Sequence, residues 1–456
     1  MALIRASRSA STGPCASKCM DRSVAGSEIP SGCTLGSMQV SSVISGMKES
    51  ATLAVSAKAA ALKAKGVDVV GFGVGEPDFD TPDPIKRAAI RALEAGQTKY
   101  APTPGDRAAR EAIAHKHRTE NGIDCTFEHI TVTAGAKHAI YMALQVLIER
   151  GADNEVIVPT PAWVSYRPLI ELAGARCVEV PARLDDDLIV QPEAIERAIT
   201  PRTVGIILNS PSNPCGITLP PASMRAIADV LARHPQITII SDEIYEKLVY
   251  PEVVPGIAHW SIGSDPRLAG RTITVNGMSK AYAMTGWRIG WMCAPGDRGA
   301  FVREAIKLQG QMTNSITSFA LPAIVEALTN GAADVERMRG VFAHRAQLIG
   351  RLQAAIPGLI APASSGAFYT FPSVATLLGG RTAGGRVLDS AQSFAEALLE
   401  EHAVAVVPGE DFGECARAHV RLSFACSDAQ ITKGMERVAA FVAGIRQEIP
   451  TVTGTG

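Results

Sequence analysis

Short runs of β-branched residues alternate with amphipathic helical stretches from about residue 67 onward, and this alternation restricts the fold more than any other feature of the chain. The candidate strands are residues 130–133, 155–158, 204–208, 237–240, 272–275 and 289–293. Between them, residues 137–148 and 221–232 carry apolar side chains at helical spacing. Strands that alternate with helices in this way form βαβ units on a mostly parallel sheet. The sequence therefore predicts a doubly wound α/β domain over residues 85–325.

The residues that follow this core, 326–456, are predicted to form a smaller α+β domain. They combine helical patterns at 341–355, at 390–401 and from Ile431 with two short candidate strands, 404–407 and 419–424. Residues 38–84 are interpreted as an N-terminal arm together with a part of the smaller domain.

The first 37 residues are rich in Ser, Gly and Ala and show no hydrophobic periodicity, so we predict a flexible N-terminal extension. Their Ser and Arg content is typical of a transit peptide, but Asp21, Glu28 and Pro30 argue against one. We favour an upstream extension before a start at Met38 and expect a cytoplasmic protein. A plastid location is the alternative if residues 1–37 are a transit peptide.

The charge balance and the cysteine pattern exclude several classes of partner. The chain has 44 Lys and Arg residues against 45 Asp and Glu residues, a formal net charge of −1, so no overall field attracts nucleic acid or an anionic membrane. No apolar run approaches the roughly 20 residues that span a bilayer. The nine cysteines include no CxxC pair and no His/Cys cluster at zinc spacing. We therefore expect small-molecule partners, reduced cysteines and no bound metal.

Four polar residues follow the predicted strands, where doubly wound sheets hold their ligands. Asp242 comes after ITIIS, Tyr245 lies three positions later, Asn213 lies in SPSNPCG, and Lys280 follows TITVNGMS. Three of them have an ordinary alternative: a helix cap for Asp242, a turn for Asn213, a solvated ammonium for Lys280. No single alternative explains all of them, so we predict one crevice that collects a carboxylate, a phenol, an amide and an amine.

The stretch TVTAGAKHA, residues 131–139, predicts a strand, a tight turn and a helix, with free backbone N–H groups of Gly135 and Ala136 at the turn. Such a turn can bind phosphate, although a plain strand–helix connection is an equal alternative. Arg288 and Ser279 would supply a charge and a hydroxyl to the same anion. A phosphate site beside an amine, an acid and phenol or amide donors matches the needs of pyridoxal 5′-phosphate (PLP).

A series of short strings resembles one enzyme family. They are GEPDFDTP (75–82), TKYAP (98–102), TAGAK (133–137), PAWVSY (161–166), NSPSNPCG (209–216), SDEIYE (241–246), VNGMSKAYAMTGWRIG (275–290), SGAFY (365–369) and HVRLS (419–423). In this order they resemble the class I aminotransferases of PLP fold type I, and more narrowly the bacterial and plastid aspartate/prephenate branch. The resemblance extends from about residue 47 to about residue 441.

The resemblance implies a role for each residue around the cofactor ring. Lys280 would bind PLP covalently and then move a proton at the substrate's Cα. Asp242 would pair with the ring nitrogen, and Tyr245 and Asn213 would donate to the ring oxygen. Trp163 would cover the ring face.

The phosphate and subunit contacts are implied in the same way. The backbone of Gly135 and Ala136, with Ser279 and Arg288, would hold the phosphate. Tyr100 matches a tyrosine that reaches the phosphate from a neighbouring subunit. The resemblance therefore implies a homodimer with shared active sites.

Substrate residues follow from the same comparison. Arg421 would bind the α-carboxylate and Gly75 would supply a backbone contact to it. Lys137 would meet the distal carboxylate of acidic substrates, and Thr52, with Lys137, marks relatives that use prephenate. Trp163 and Asn213 would also contact the substrate.

We therefore predict an aspartate aminotransferase that exchanges amino groups between L-aspartate or L-glutamate and 2-oxoacids, with prephenate amination to arogenate as a further reaction. The alternatives are another PLP enzyme of the same fold, such as a different transaminase or a carbon–sulfur lyase, and a non-catalytic regulator. A regulator would need a helix–turn–helix before residue 50, and residues 1–37 show none. GFGVGEPD (71–78) lacks the third glycine of a dinucleotide fingerprint.

Overall fold

The computed structural model describes residues 39–47 and 51–447, without the side chains of residues 51–54 and 56. The chain divides into two units, Met1–Met47 and Lys48–Gly456. In the first unit, the described part contains the short helix α1 (Ser42–Ser45). The predicted flexible extension, residues 1–37, lies outside the described residues.

The second unit is built around a seven-stranded sheet. In chain order its strands are β2 (Ile130–Thr133), β3 (Glu155–Thr160), β4 (Arg176–Pro181), β5 (Thr203–Asn209), β6 (Thr238–Asp242), β7 (Thr272–Gly277) and β8 (Gly290–Cys293), after a first short strand β1 (Val70–Gly71). The spatial order is β2-β8-β7-β6-β5-β3-β4, and only β8 runs antiparallel to its neighbours. The sheet is therefore mostly parallel, and β4 and β5 lie on opposite sides of β3, where the strand order reverses.

The helices of the second unit precede, connect and follow these strands. They are α2 (Ala51–Ala64), α3 (Asp83–Glu94), α4 (Arg107–Glu120), α5 (Ala136–Leu147), α6 (Tyr166–Ala173), α7 (Pro192–Ala198), α8 (Pro221–Ala232), α9 (Gly296–Met312), α10 (Leu321–Asn330), α11 (Ala332–Ala354), α12 (Ala391–His402) and α13 (Asp428–Ala443). The helices predicted at 137–148 and 221–232 are therefore present as α5 and α8 within about one residue at each end.

Successive residues of the central strands pack into different cores on the two faces of the sheet. Ile239 packs with Ile227 of α8, whereas its neighbour Ile240 packs with Ile140 of α5. This alternation follows from the two-residue period of a strand. Both faces are covered by helices, so the predicted doubly wound α/β fold class is confirmed.

Two small sheets are formed by strands distant in sequence. β10 (Val404–Ala405) pairs in parallel with β1. β12 (Val420–Ser423) lies between β11 (Val407–Pro408) and β9 (Tyr369–Thr370), antiparallel to both. The predicted boundaries 38–84, 85–325 and 326–456 remain predictions.

The single strand predicted at 404–407 is wrong, because the structure divides it between the two small sheets. Val404 pairs with Val70, and three residues later Val407 pairs with Arg421. Val406 is the residue at which the chain leaves one sheet for the other. Local sequence cannot specify such a change, since each half is ordered by a different partner strand.

Within residues 39–47 and 51–447, no helix has both the length and the apolarity to cross a membrane.

Candidate active site

The carboxyl ends of the parallel strands meet around a cavity of about 320 Å³. Trp163 follows β3, Asn213 follows β5, Asp242 ends β6 and Lys280 follows β7. The lining residues predicted from sequence are Gly75, Ala136, Lys137, Trp163, Asn213, Asp242, Tyr245, Lys280 and Arg421. The cavity therefore lies at the edge of the sheet where doubly wound folds bind ligands.

Asp242 is a buried carboxylate whose proton affinity is raised. Its Oδ2 accepts a hydrogen bond of 2.7 Å from the hydroxyl of Tyr166, and its Oδ1 accepts one of 3.3 Å from the N–H of Ile244. Burial raises the pKa of Asp242 to about 6, and the Tyr166 hydrogen bond only partly opposes this rise. A positive group that entered the cavity beside Asp242 would restore full ionisation.

Lys280 points its ammonium group into the same cavity. Nζ donates a hydrogen bond of 2.7 Å to the carbonyl oxygen of Gly75 and lies 5.8 Å from the ring centroid of Tyr245. Burial, and then the positive charge of Arg421, lower the pKa of Lys280 to about 8. A useful fraction of this amine is therefore neutral, and hence nucleophilic, near physiological pH.

The turn between β2 and α5 has the geometry of a phosphate cradle. Gly135 precedes α5 with φ of 87°, a conformation that favours glycine. A Cβ atom at Gly135 would lie 2.5 Å from a guanidinium nitrogen of Arg288, so this arginine lies directly against the turn. Arg288 is exposed and donates to the carbonyl oxygen of Thr285 over 2.9 Å. The prediction that the N–H of Gly135 is free is wrong, because it donates to the carbonyl oxygen of Thr133 over 2.8 Å in the tight turn. The N-terminus of α5 and the Arg288 cation nevertheless converge where an anion would bind.

Arg421 carries a buried positive charge. It is 3% exposed, donates 2.9 Å to Oδ1 of Asn213 and 2.8 Å to the carbonyl oxygen of Gly73, and its Nε has no hydrogen-bond partner. None of the carboxylates that the structure describes forms an ion pair with it, and burial lowers its pKa. A buried guanidinium without a counter-ion is costly, so this position favours an incoming carboxylate.

Lys137 is a second cation at the cavity. Its Nζ lies 4.8 Å from the ring centroid of Trp163. The Trp163 ring in turn packs edge-to-face against the ring of Tyr166. Burial, and then the charge of Arg288, lower the pKa of Lys137. Arg421 and Lys137 therefore border one cavity with two positive charges.

Four of the predicted site residues do not line the cavity, and a fifth is not fully described. Gly135 and Arg288 lie together at the phosphate turn, and Ser279, which is buried, precedes Lys280 in the chain. Tyr100 does not line the cavity and is 91% exposed. Position 52 lies in α2, but its threonine side chain is outside the described residues.

Two tyrosines of the site were missed as functional residues by the sequence analysis. Tyr166 binds Asp242, and the Tyr369 hydroxyl lies 2.9 Å from that of Tyr245. Both are the last residues of strings that carry the family resemblance, PAWVSY and SGAFY, which was the available signal. Their partners are 76 and 124 positions away in the chain, so spacing alone could not identify them.

A family model described as aminotransferase class I and II matches residues 67–438. With this match over most of its length and the cavity described above, the chain belongs to the class I and II aminotransferases. The predicted enzyme class is therefore confirmed.

Individual relatives agree with the predicted branch of that family. The aspartate/prephenate aminotransferase of Cereibacter sphaeroides is 41% identical over 409 residues, which are 89% of this chain and 99% of the relative. The aspartate aminotransferase structure from Rhizobium meliloti is 37% identical, with a TM-score of 0.85, over 90% of this chain and 100% of that one. The Thermus thermophilus aspartate aminotransferase with maleate is 41% identical, with a TM-score of 0.81, over 89% and 100%.

Proposed function

We propose that this chain is a PLP-dependent aspartate aminotransferase, which transfers the amino group of L-aspartate or L-glutamate to 2-oxoacids. The observation that carries the proposal is the pairing of Asp242 and Lys280 across one cavity. They come from the adjacent strands β6 and β7, and burial shifts both pKa values toward neutrality. A carboxylate that gains from a cationic partner and an amine that can act unprotonated are the two groups this chemistry needs.

The residues fit the cofactor at each of its ends. The Gly135 turn, with Ala136, Ser279 and Arg288, would hold the phosphate, since a Cβ at Gly135 would fill the cradle. At the other end, Asp242 would hold a proton on the ring nitrogen.

The remaining groups complete the pocket around the ring. Tyr245 and Asn213 would bind the phenolic oxygen, and Trp163 would cover one face. When bound, PLP supplies an electron-withdrawing ring that stabilises negative charge on the substrate's Cα. Lys280 would hold the cofactor through its amine, and the same amine would accept and return the proton at the substrate's Cα; its lowered pKa suits both roles.

Arg421 and Lys137 suit a dicarboxylic substrate. The α-carboxylate would neutralise the buried guanidinium of Arg421, and the distal carboxylate would meet the ammonium of Lys137. Maleate, which is present in the Thermus thermophilus structure, is also a dicarboxylate. Aspartate and glutamate are the amino acids with this pair of charges.

Prephenate amination to arogenate is a second proposed reaction of the same site. It is supported by Lys137 at the cavity, by threonine at position 52 and by the similarity to the aspartate/prephenate aminotransferase of Cereibacter sphaeroides. Incubation with prephenate and either L-glutamate or L-aspartate, followed by detection of arogenate, tests it. Turnover of aspartate without any arogenate would remove this reaction and leave the main proposal intact.

We further propose a homodimer in which Tyr100 completes the site of the neighbouring subunit, since its ring is 91% exposed in the single chain. Light scattering measures the oligomeric state. Mixing equal amounts of Lys280→Ala and Tyr100→Phe subunits, after partial denaturation and refolding, should regenerate one intact site in each mixed dimer, or about a quarter of all sites, if the residues act across the interface. No recovery above the separate variants would contradict the shared site.

Lys280→Ala is the main test of the proposed reaction. We expect it to lose both aspartate:2-oxoglutarate turnover and the visible absorbance of covalently bound cofactor. Lys307→Ala, at an exposed position whose ammonium pairs with Glu304, is the matched control and should retain both. Turnover that survives in Lys280→Ala would reject the proposal.

A cytoplasmic location is also proposed, and N-terminal sequencing of the native protein would reveal cleavage within residues 1–37.

A further inference from the structure

Tyr245 and Tyr369 form a buried pair of phenols at the cavity. Their hydroxyl oxygens are 2.9 Å apart, and their rings are nearly perpendicular, with centroids 5.9 Å apart. Both residues line the cavity and are almost fully buried. The assigned role of Tyr245 does not account for the second hydroxyl.

The surroundings of Tyr369 fix its hydroxyl against Tyr245. A Cβ atom at Gly75 would lie 2.6 Å from this hydroxyl, so the chain at Gly75 closes the space on one side. The guanidinium of Arg421 lies 4.8 Å from the Tyr369 ring centroid, and the Phe368 ring packs at 4.8 Å. The backbone of Tyr369 is paired with Ser423 in β12. The ring and backbone of Tyr369 are therefore held in place, and its hydroxyl lies between Gly75 and the hydroxyl of Tyr245.

Counting protons shows what the pair can do. Each phenol has one proton to donate, and the bond between the two hydroxyls uses one of them. Neither hydroxyl has another hydrogen-bond partner in the part of the chain that the structure describes. One proton thus remains for a group in the cavity. If an acceptor lies on the Tyr245 side, Tyr369 must be the donor within the pair.

We propose that Tyr369 is a positioning residue that donates to the Tyr245 hydroxyl and thereby directs the Tyr245 proton to the phenolic oxygen of the cofactor. This inference rests on the proposed function, because it takes PLP as the occupant of the cavity. A hydroxyl that accepts a hydrogen bond becomes a stronger donor, since the bonds of a chain polarise one another. Tyr369 therefore acts on the cofactor through Tyr245, without touching it.

The effect has a definite sign. A hydrogen bond donated to the phenolic oxygen stabilises the deprotonated form of the bound chromophore, so it lowers the pH at which the visible absorbance changes. Removing the Tyr369 hydroxyl weakens the Tyr245 donor, and the absorbance midpoint should rise. The expected rise is roughly half a pH unit, which corresponds to about 0.7 kcal/mol. This is within the net contribution of a neutral hydrogen bond, about 1 kcal/mol.

The experiment is an absorbance titration of four cofactor-loaded proteins: wild type, Tyr369→Phe, Tyr245→Phe and the double variant. Tyr369→Phe should raise the midpoint by less than Tyr245→Phe does, and the double variant should match Tyr245→Phe. Tyr250→Phe is the control, because Tyr250 is equally buried but its hydroxyl donates to the carbonyl oxygen of Ala367, outside the cavity. Its midpoint should equal that of wild type.

A second substitution keeps the test valid if Tyr369→Phe folds poorly. Site-specific 3-fluorotyrosine at position 369 retains the hydroxyl and is a stronger acid, so it should lower the midpoint. An unchanged midpoint with 3-fluorotyrosine, or with a well-folded Tyr369→Phe, would overturn the role of Tyr369. So would a Tyr369→Phe shift of equal size in the Tyr245→Phe background. Absence of cofactor absorbance in the wild type would instead reject the proposed function itself.

Discussion

The Tyr166 hydroxyl donates a 2.7 Å hydrogen bond to the buried carboxylate of Asp242, and this is the strongest polar contact that the carboxylate makes. The bond stabilises the anion, yet burial dominates and holds the pKa of Asp242 near 6. In the unloaded protein, Asp242 is therefore about half protonated near pH 6, and a cationic partner in the cavity would favour its ionised form.

Tyr166→Phe should weaken cofactor binding at low pH. Without the phenol, the pKa of Asp242 rises further, so the anion needed to pair with the ring nitrogen is lost at a higher pH. Fluorescence titration of the unloaded protein with PLP between pH 5 and 8 measures this directly. We expect wild-type affinity to fall below about pH 6 and the fall to begin at higher pH in the variant. Superimposable pH profiles would contradict this role of Tyr166.

Asp242→Asn should stabilise the unloaded fold while abolishing turnover. The folded pKa of Asp242 is about 6, above its ordinary value of 3.8, so keeping the group ionised costs folding free energy at higher pH. That cost grows as pH rises from about 4 to about 6 and is complete above it. The variant should therefore gain roughly 1–3 kcal/mol at pH 8 and almost nothing at pH 4. Urea unfolding at the two pH values checks this, and an equal gain at both would be inconsistent with it.

Lys116 should be essential for stability, although it does not line the cavity. It is 4% exposed, pairs with the buried carboxylate of Glu246 and donates 2.6 Å to Asn121. Lys116→Met leaves the buried carboxylate of Glu246 without its lysine partner and should cost about 3–5 kcal/mol of unfolding free energy.

The neighbouring pair provides the matched control for that measurement. Lys247 pairs with Glu120 over 2.8 Å, with both side chains partly exposed to solvent. Lys247→Met should cost less than about 1 kcal/mol. Equal unfolding midpoints in urea for the two variants would show that burial of the Lys116 pair is not what matters.

Lys137→Ala should change the choice of substrate more than the rate of chemistry. If its ammonium binds the distal carboxylate, kcat/KM for aspartate should fall roughly 10- to 100-fold, whereas that for alanine, which lacks this carboxylate, should stay within about twofold. Arg351→Ala, at an exposed position away from the cavity, is the control. A parallel loss for both substrates would assign Lys137 to another role.

The sequence was sufficient for features that depend on local pattern. The strand ends placed Asn213, Asp242 and Lys280 at one cavity because parallel strands share their carboxyl edge. The edge strand β4, RCVEVP, was not predicted, since Arg176 and Glu179 interrupt its apolar run. β9 was also missed, because a two-residue strand has no period of its own.

Features that depend on distant partners were not predictable. The division at Val406 is set by pairing with Val70 on one side and with Arg421 on the other. The contact between the Lys137 ammonium and the Trp163 ring was likewise not predictable, because only folding brings the two side chains together. Tertiary contacts decide such details, and a single sequence does not record them.

The order of the site along the chain has a consequence for how the protein is made. Every strand of the central sheet, and every residue proposed to hold the cofactor within one subunit, precedes residue 294. Tyr369 and Arg421 follow much later. A ribosome therefore adds every strand of the central sheet, and Lys280, before it adds the arginine that would bind substrate, so the cofactor site is synthesised before the substrate site is complete.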